Sequence, residues 1–114
     1  MDASWRELSE VLREARAWLA LPGNRFDWSS WADSDAALRE VDALIATLDA
    51  DRLPNRLTIR VLFAPTGPIQ EVSLSSGWAD EFLALTERFD RAEKRAYDQG
   101  SWWWRLLNRR VTPV

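Results

Sequence analysis

The closest pairs of aspartates in the chain are Asp33-Ser34-Asp35 and Asp49-Ala50-Asp51. Two carboxylates held side by side can bind a hard divalent cation or divide acid and base work between them. Acids two apart on a helix do not face each other, however. Both pairs fall where helix ends are expected, and there a structural or solvated acid is the plainer reading. The second pair is placed oddly, because a helix C-terminus disfavours negative charge. Glu7, Glu10 and Glu14 share a helix surface with Arg6 and Arg13 and read as ion-pair decoration. Histidine and cysteine are absent, which removes Ser-His-Asp and Cys-His catalysis, thiol redox chemistry and most zinc sites. The four glycines, at 23, 67, 77 and 100, build no phosphate-binding loop of the Walker or dinucleotide type. No metal or cofactor site is expected, and the chain is not expected to be an enzyme.

The other residues with binding chemistry are aromatic. Of eight tryptophans, Trp102, Trp103 and Trp104 stand in a row before Arg105. Three adjacent residues cannot share one face of a helix or strand, so at least one indole is expected to point away from the core. Tryptophan with arginine is the composition of interface hot spots, although packing back onto the fold is the plainer use of the run. A membrane surface or stacked bases are disfavoured partners, because the segment is short and the chain acidic.

Charge is unevenly placed. Residues 1–51 hold eleven acids and five bases, a net of −6, and residues 52–114 hold seven acids and ten bases, a net of +3. Solvated helix faces explain such an imbalance. An acidic surface that attracts a basic partner is the sharper reading. Its candidate contacts are Asp27, Asp33 and Asp35, beside Trp102, Trp103, Trp104 and Arg105. A formal charge of −3 overall argues against sequence-independent binding to nucleic acid, which needs a basic stripe.

These residues need a scaffold. With 114 residues, 46% apolar and 29% charged, the chain is expected to be one folded domain, 1–114, with a single core. Without cysteine it does not rely on an oxidising compartment. The start, Met-Asp-Ala-Ser-Trp-Arg-Glu, has no basic region followed by an apolar run, and no apolar stretch approaches the length of a membrane span. The expected location is the cytoplasm.

The organising stretch is expected to be 57–78. Leu57, Ile59, Val61 and Phe63 alternate with Thr58, Arg60 and Leu62, the period of a half-buried strand. Pro65-Thr66-Gly67-Pro68 supplies turn residues, and 69–75 supplies a second strand. With Ala64 opposite Ile69, the pairs Val61–Val72 and Ile59–Leu74 fall on one apolar face. Ahead of this β-hairpin, Trp5, Leu8, Leu12, Ala15 and Leu19 recur at helical spacing, predicting a helix over about 5–21 with Ser4 and Glu7 as its capping box. Leu38, Val41, Leu44, Ile45 and Leu48 predict a second helix from about 31–34 to 50, capped from Ser30. After the hairpin, Trp78, Phe82, Leu85, Phe89, Ala92 and Ala96 predict a third helix over 78–98. Gly100 is expected to end it, and a short Trp-rich helix to follow.

The expected fold is therefore α+β in the order α-α-β-β-α-α, an αα-hairpin followed by a two-stranded antiparallel β-hairpin, a long helix and a short one. The expected function is a small non-enzymatic protein-binding module, in concrete form a bacterial immunity or antitoxin-like inhibitor whose acidic half docks on a basic effector. Two alternatives stand beside it. One is a homodimer paired through the hairpin or the Trp-rich segment. The other is a small-ligand binder or carboxylate-based enzyme.

Overall fold

The computed structural model describes the backbone of residues 2–111 and the side chains of residues 2–98. Five helices follow one another among the described residues: α1 (Ala3–Leu19), α2 (Ser34–Asp49), α3 (Arg56–Phe63), α4 (Pro68–Ser76) and α5 (Ala79–Val111). The described residues contain no strand. The expected β-hairpin is thereby overturned, and with it the α+β class; the fold is all-helical.

The long N-terminal helices follow from their stripes. Leu8, Val11, Leu12, Ala15 and Leu19 of α1 are fully buried, and Ala37, Val41, Leu44, Ile45 and Leu48 of α2 are buried with them. Such spacing places one apolar stripe on each helix, and pressing the stripes together removes both from water. The caps differ from expectation. Asp2, not Ser4, caps α1, accepting the Ser4 amide at 2.8 Å, while Glu7 turns toward Arg88 at 3.5 Å. Asp33 caps α2 by accepting the Ala36 amide at 2.9 Å. Arg13 pairs with Asp49 and Arg16 with Asp42 across the α1–α2 seam. Helix α1 packs against α2, α4 and α5.

Helices α3 and α4 occupy the stretch expected to be strands. The letters of α3 satisfy two periods at once. Ile59, Leu62 and Phe63, at i, i+3 and i+4, are buried, whereas Leu57 and Val61, also one turn apart, are 70% and 50% exposed. Leu62, placed on the polar face by the strand register, is in the core instead. The Asn55 carboxamide starts the helix by accepting the Thr58 amide at 3.1 Å. In α4 the buried set is Pro68, Ile69, Val72 and Ser73, and Leu74 is 64% exposed, so Ile59 and Leu74 share no face. Pro68 takes the first helical position, where no amide donor is required, and Gly77 ends the helix in the left-handed region at φ 85°. Leading Pro and closing Gly are helix punctuation. A helix bonds along its own backbone rather than to a neighbouring strand, so no strand edge is left to cover.

The turn between α3 and α4 is tight. A Cβ on Gly67 would stand 2.6 Å from the Val61 carbonyl oxygen and 2.8 Å from that of Ala64, so only glycine lets α4 begin this close to the end of α3. Phe63, the last residue of α3, stacks on Phe89 at 4.1 Å and on Phe82 at 6.5 Å between ring centroids. That stack ties the short pair to α5.

Helix α5 buries Phe82, Leu85, Phe89, Ala92 and Ala96, the expected stripe. Gly100 does not end it, and the backbone stays helical to Val111. The separate Trp-rich helix is thus a continuation of α5. One interior glycine costs only about 1 kcal/mol against alanine, less than a break would lose in a helix of 33 residues.

Candidate protein-interaction surface

Residues 20–33, the connection from α1 to α2, are fastened to the bundle at many points. Asn24 is the central tie. Its side-chain Nδ2 donates to the Trp18 carbonyl at 2.7 Å, and its side-chain Oδ1 accepts from the Trp78 indole at 2.9 Å. The Trp18 and Trp78 rings stack beside it with centroids 5.3 Å apart. The Arg25 amide donates to the Ser76 hydroxyl at 2.9 Å, which joins the connection to the end of α4. Trp31 is buried, and its indole donates to the Glu40 carboxylate on α2. A polar connection tied down this way holds its shape without a stripe of its own.

Trp28 is the exception. It is 77% exposed. Among the described tryptophans, Trp31 and Trp78 are buried and Trp5 and Trp18 half-buried. A large apolar ring held in water on an otherwise anchored loop is the composition and placement of an interface anchor. Beside it, Arg25 and Asp27 stand 3.9 Å apart, both mostly exposed, too far and too wet to neutralise each other firmly.

The carboxylates singled out from the sequence converge in part. Asp27 and Asp33 line one cleft of about 400 Å³, with Asn24, Arg25, Phe26 and Pro22 also on its wall. Asp33 is partly committed as the α2 cap. Asp35 sits in the first turn of α2 outside the cleft lining, exposed and with no partner among the described residues. Trp102, Trp103, Trp104 and Arg105 lie on the α5 backbone, and their side chains fall outside the described residues. Asp49 and Asp51, the other close pair, are not a site: Asp49 grips Arg13 in a two-pronged contact at 2.8 and 2.9 Å. No three acids gather as a metal cluster among the described residues.

No family model, curated protein or solved structure matches the chain. The geometry therefore carries the functional argument alone.

Much of the acidic excess of the N-terminal half is paired with arginines at the helix seams. Asp42 pairs with Arg16 and Asp49 with Arg13, while Glu7 and Glu14 share Arg88 on α5. The hydrogen bond from Arg16 holds the Asp42 carboxyl below its ordinary range. In that half Glu10 and Asp35 have no partner among the described residues, and Asp27, next to Trp28, has only Arg25 at 3.9 Å. The sequence reading found the acids and missed Trp28. The available signal was its setting, an aromatic among Asp27, Ser29 and Ser30 that belongs to neither the α1 nor the α2 stripe.

A second charged cluster is structural. Arg56 hydrogen-bonds the buried Glu93 and, at 2.9 Å, the carboxylate of Asp98, and lies over the Tyr97 ring at 5.4 Å. The Tyr97 hydroxyl donates to the Pro54 carbonyl at 2.7 Å. Burial, helped by the negative charge of Glu93, pushes the Tyr97 phenol up to about 12. The group fastens the start of α3 to α5. No helix among the described residues is long and apolar enough to cross a membrane.

Proposed function

We propose that the protein is a small, non-enzymatic binding module of the cytoplasm that docks the α1–α2 connection onto a basic surface of another protein, in the manner of an immunity or antitoxin-like inhibitor. The observation that carries this reading is Trp28, 77% exposed on a loop whose neighbours are hydrogen-bonded inward. The indole supplies apolar contact area at little entropic cost, because the loop is already ordered. Asp27 and Asp35 supply charges that steer a basic partner and fix its register.

The test is a photo-crosslinking amino acid placed at position 28 in cells of the native host, with position 10 as a control on α1. A discrete adduct with one basic protein at position 28 and not at position 10 is expected. In purified form that pair should lose at least about 30-fold in affinity with Trp28→Ala, the mark of a hot spot. It should also weaken with Asp27→Lys and with added salt. Absence of an adduct at position 28, or an affinity indifferent to Trp28→Ala, defeats the reading.

A further inference from the structure

The outer face of α3 carries a different argument, independent of Trp28. Leu57, Arg60, Val61 and Ala64 follow one another at i, i+3, i+4 and i+7 and all line a groove of about 340 Å³ between α3, the following turn and α5. The stacked and buried Phe63 and Phe89 close its inner side. Arg60 and Asp90 are its charged members. Arg60 is mostly exposed and 3.8 Å from Glu93, whose hydrogen-bond partner is Arg56. Asp90 is exposed and has no partner among the described residues.

We propose that this face is where two copies of the chain meet. A groove of this kind accepts an amphipathic helix with an apolar pair one turn apart, a cation placed for Asp90 and an anion placed for Arg60. Helix α3 itself presents Leu57, Val61 and Arg60, and α5 presents Asp90. The face is therefore complementary to itself. In a two-fold arrangement the contact of Arg60 with Asp90 of the second copy occurs twice. Leu57 and Val61, 70% and 50% exposed in the single chain, leave water in the pair. The face spans one short helix and part of another, small beside a standard interface of roughly 800 Å² per partner, so a weak and reversible dimer is expected.

Sedimentation equilibrium of the full chain over a concentration series tests this, with far-ultraviolet circular dichroism as the check on folding. The mass is expected to climb toward twice that of one chain. Val61→Glu and Asp90→Arg should each weaken association at least about tenfold while leaving the helical signal unchanged, since both positions are solvent-facing. Charge reversal sharpens the test. Asp90→Arg mixed with Arg60→Asp should associate again, because each unlike pair is then restored across the two-fold. Should Arg60→Asp fail to fold beside Glu93, Val61→Glu and Asp90→Arg decide the matter. A chain that stays monomeric throughout overturns the proposal. So does a dimer indifferent to either Val61→Glu or Asp90→Arg, which would be paired elsewhere.

Discussion

Helices α1 and α2 and helices α3 and α4 are both pairs of chain neighbours nearly equal in length, yet they are held by different means. Helix α1 has 17 residues and α2 has 16, and each presents a stripe of five fully or nearly buried apolar residues. Helix α3 has 8 residues and α4 has 9, lengths at which an isolated helix does not persist in water. The long pair would keep its seam if any one contact were weakened. The short pair depends on punctuation and on a few anchors: the Asn55 cap, the Pro68 start, the Gly77 stop, the space at Gly67 and the Phe63 stack on α5. Length gives redundancy, and short elements concentrate their stability in single residues.

The strongest way to break the short pair is Phe63→Ala. It empties a stacked, buried position and should cost about 4 kcal/mol, read from denaturant unfolding. Hydrogen exchange should show residues 56–76 losing protection before 3–19 and 34–49. Uniform loss across all helices would mean that the two regions do not differ as described. Gly67→Ala comes next. Its new Cβ meets backbone carbonyls rather than a side chain that can swing aside, so the turn must open, and about 2 kcal/mol is expected. A melting temperature equal to that of the parent would show that the turn has slack. The smallest effect belongs to the long pair. Arg13→Ala removes an ion pair whose side chains are about half exposed, and it should change stability by no more than about 0.5 kcal/mol. A loss several times larger would move the α1–α2 seam into the same single-anchor regime as α3–α4.

The two proposed binding faces divide along the same line. Trp28 stands on a connection whose order comes from hydrogen bonds to Trp18, Trp78 and Ser76. The dimer face stands on α3, whose order comes from Phe63 and from the Arg56–Glu93 cluster. Phe63→Ala should therefore abolish self-association while leaving docking through Trp28 largely intact.

What could be read in the residues was uneven for a physical reason. The stripes of α1, α2 and α5 are long enough that a period of 3.6 has no rival, and the core members Leu12, Val41, Phe82 and Phe89 follow from it. Over 57–63 the apolar positions fit a strand by Leu57, Ile59, Val61 and Phe63, and a helix by Ile59, Leu62 and Phe63. With so few residues, periodicity alone does not choose. Pro68 and Gly77 stand where a helix start and stop belong, but Pro65 to Pro68 also make a credible strand turn, and that is how they read. Gly100 read as a stop and proved to be tolerated, since one residue's propensity is small against the rest of α5. Asp27 and Asp33 were legible as acids. Their meeting in one cleft was not, nor was the outward position of Trp28.

By itself the order of side chains determined the three long helices, the faces they bury, and the absence of histidine and cysteine chemistry, because each is a local or compositional property. Tertiary structure decided the rest. Whether Leu57 and Val61 or Ile59 and Leu62 left water depended on where α5 could place Phe82 and Phe89 to receive Phe63. That is a contact between residues far apart in the chain, and nothing in either segment read alone contains it.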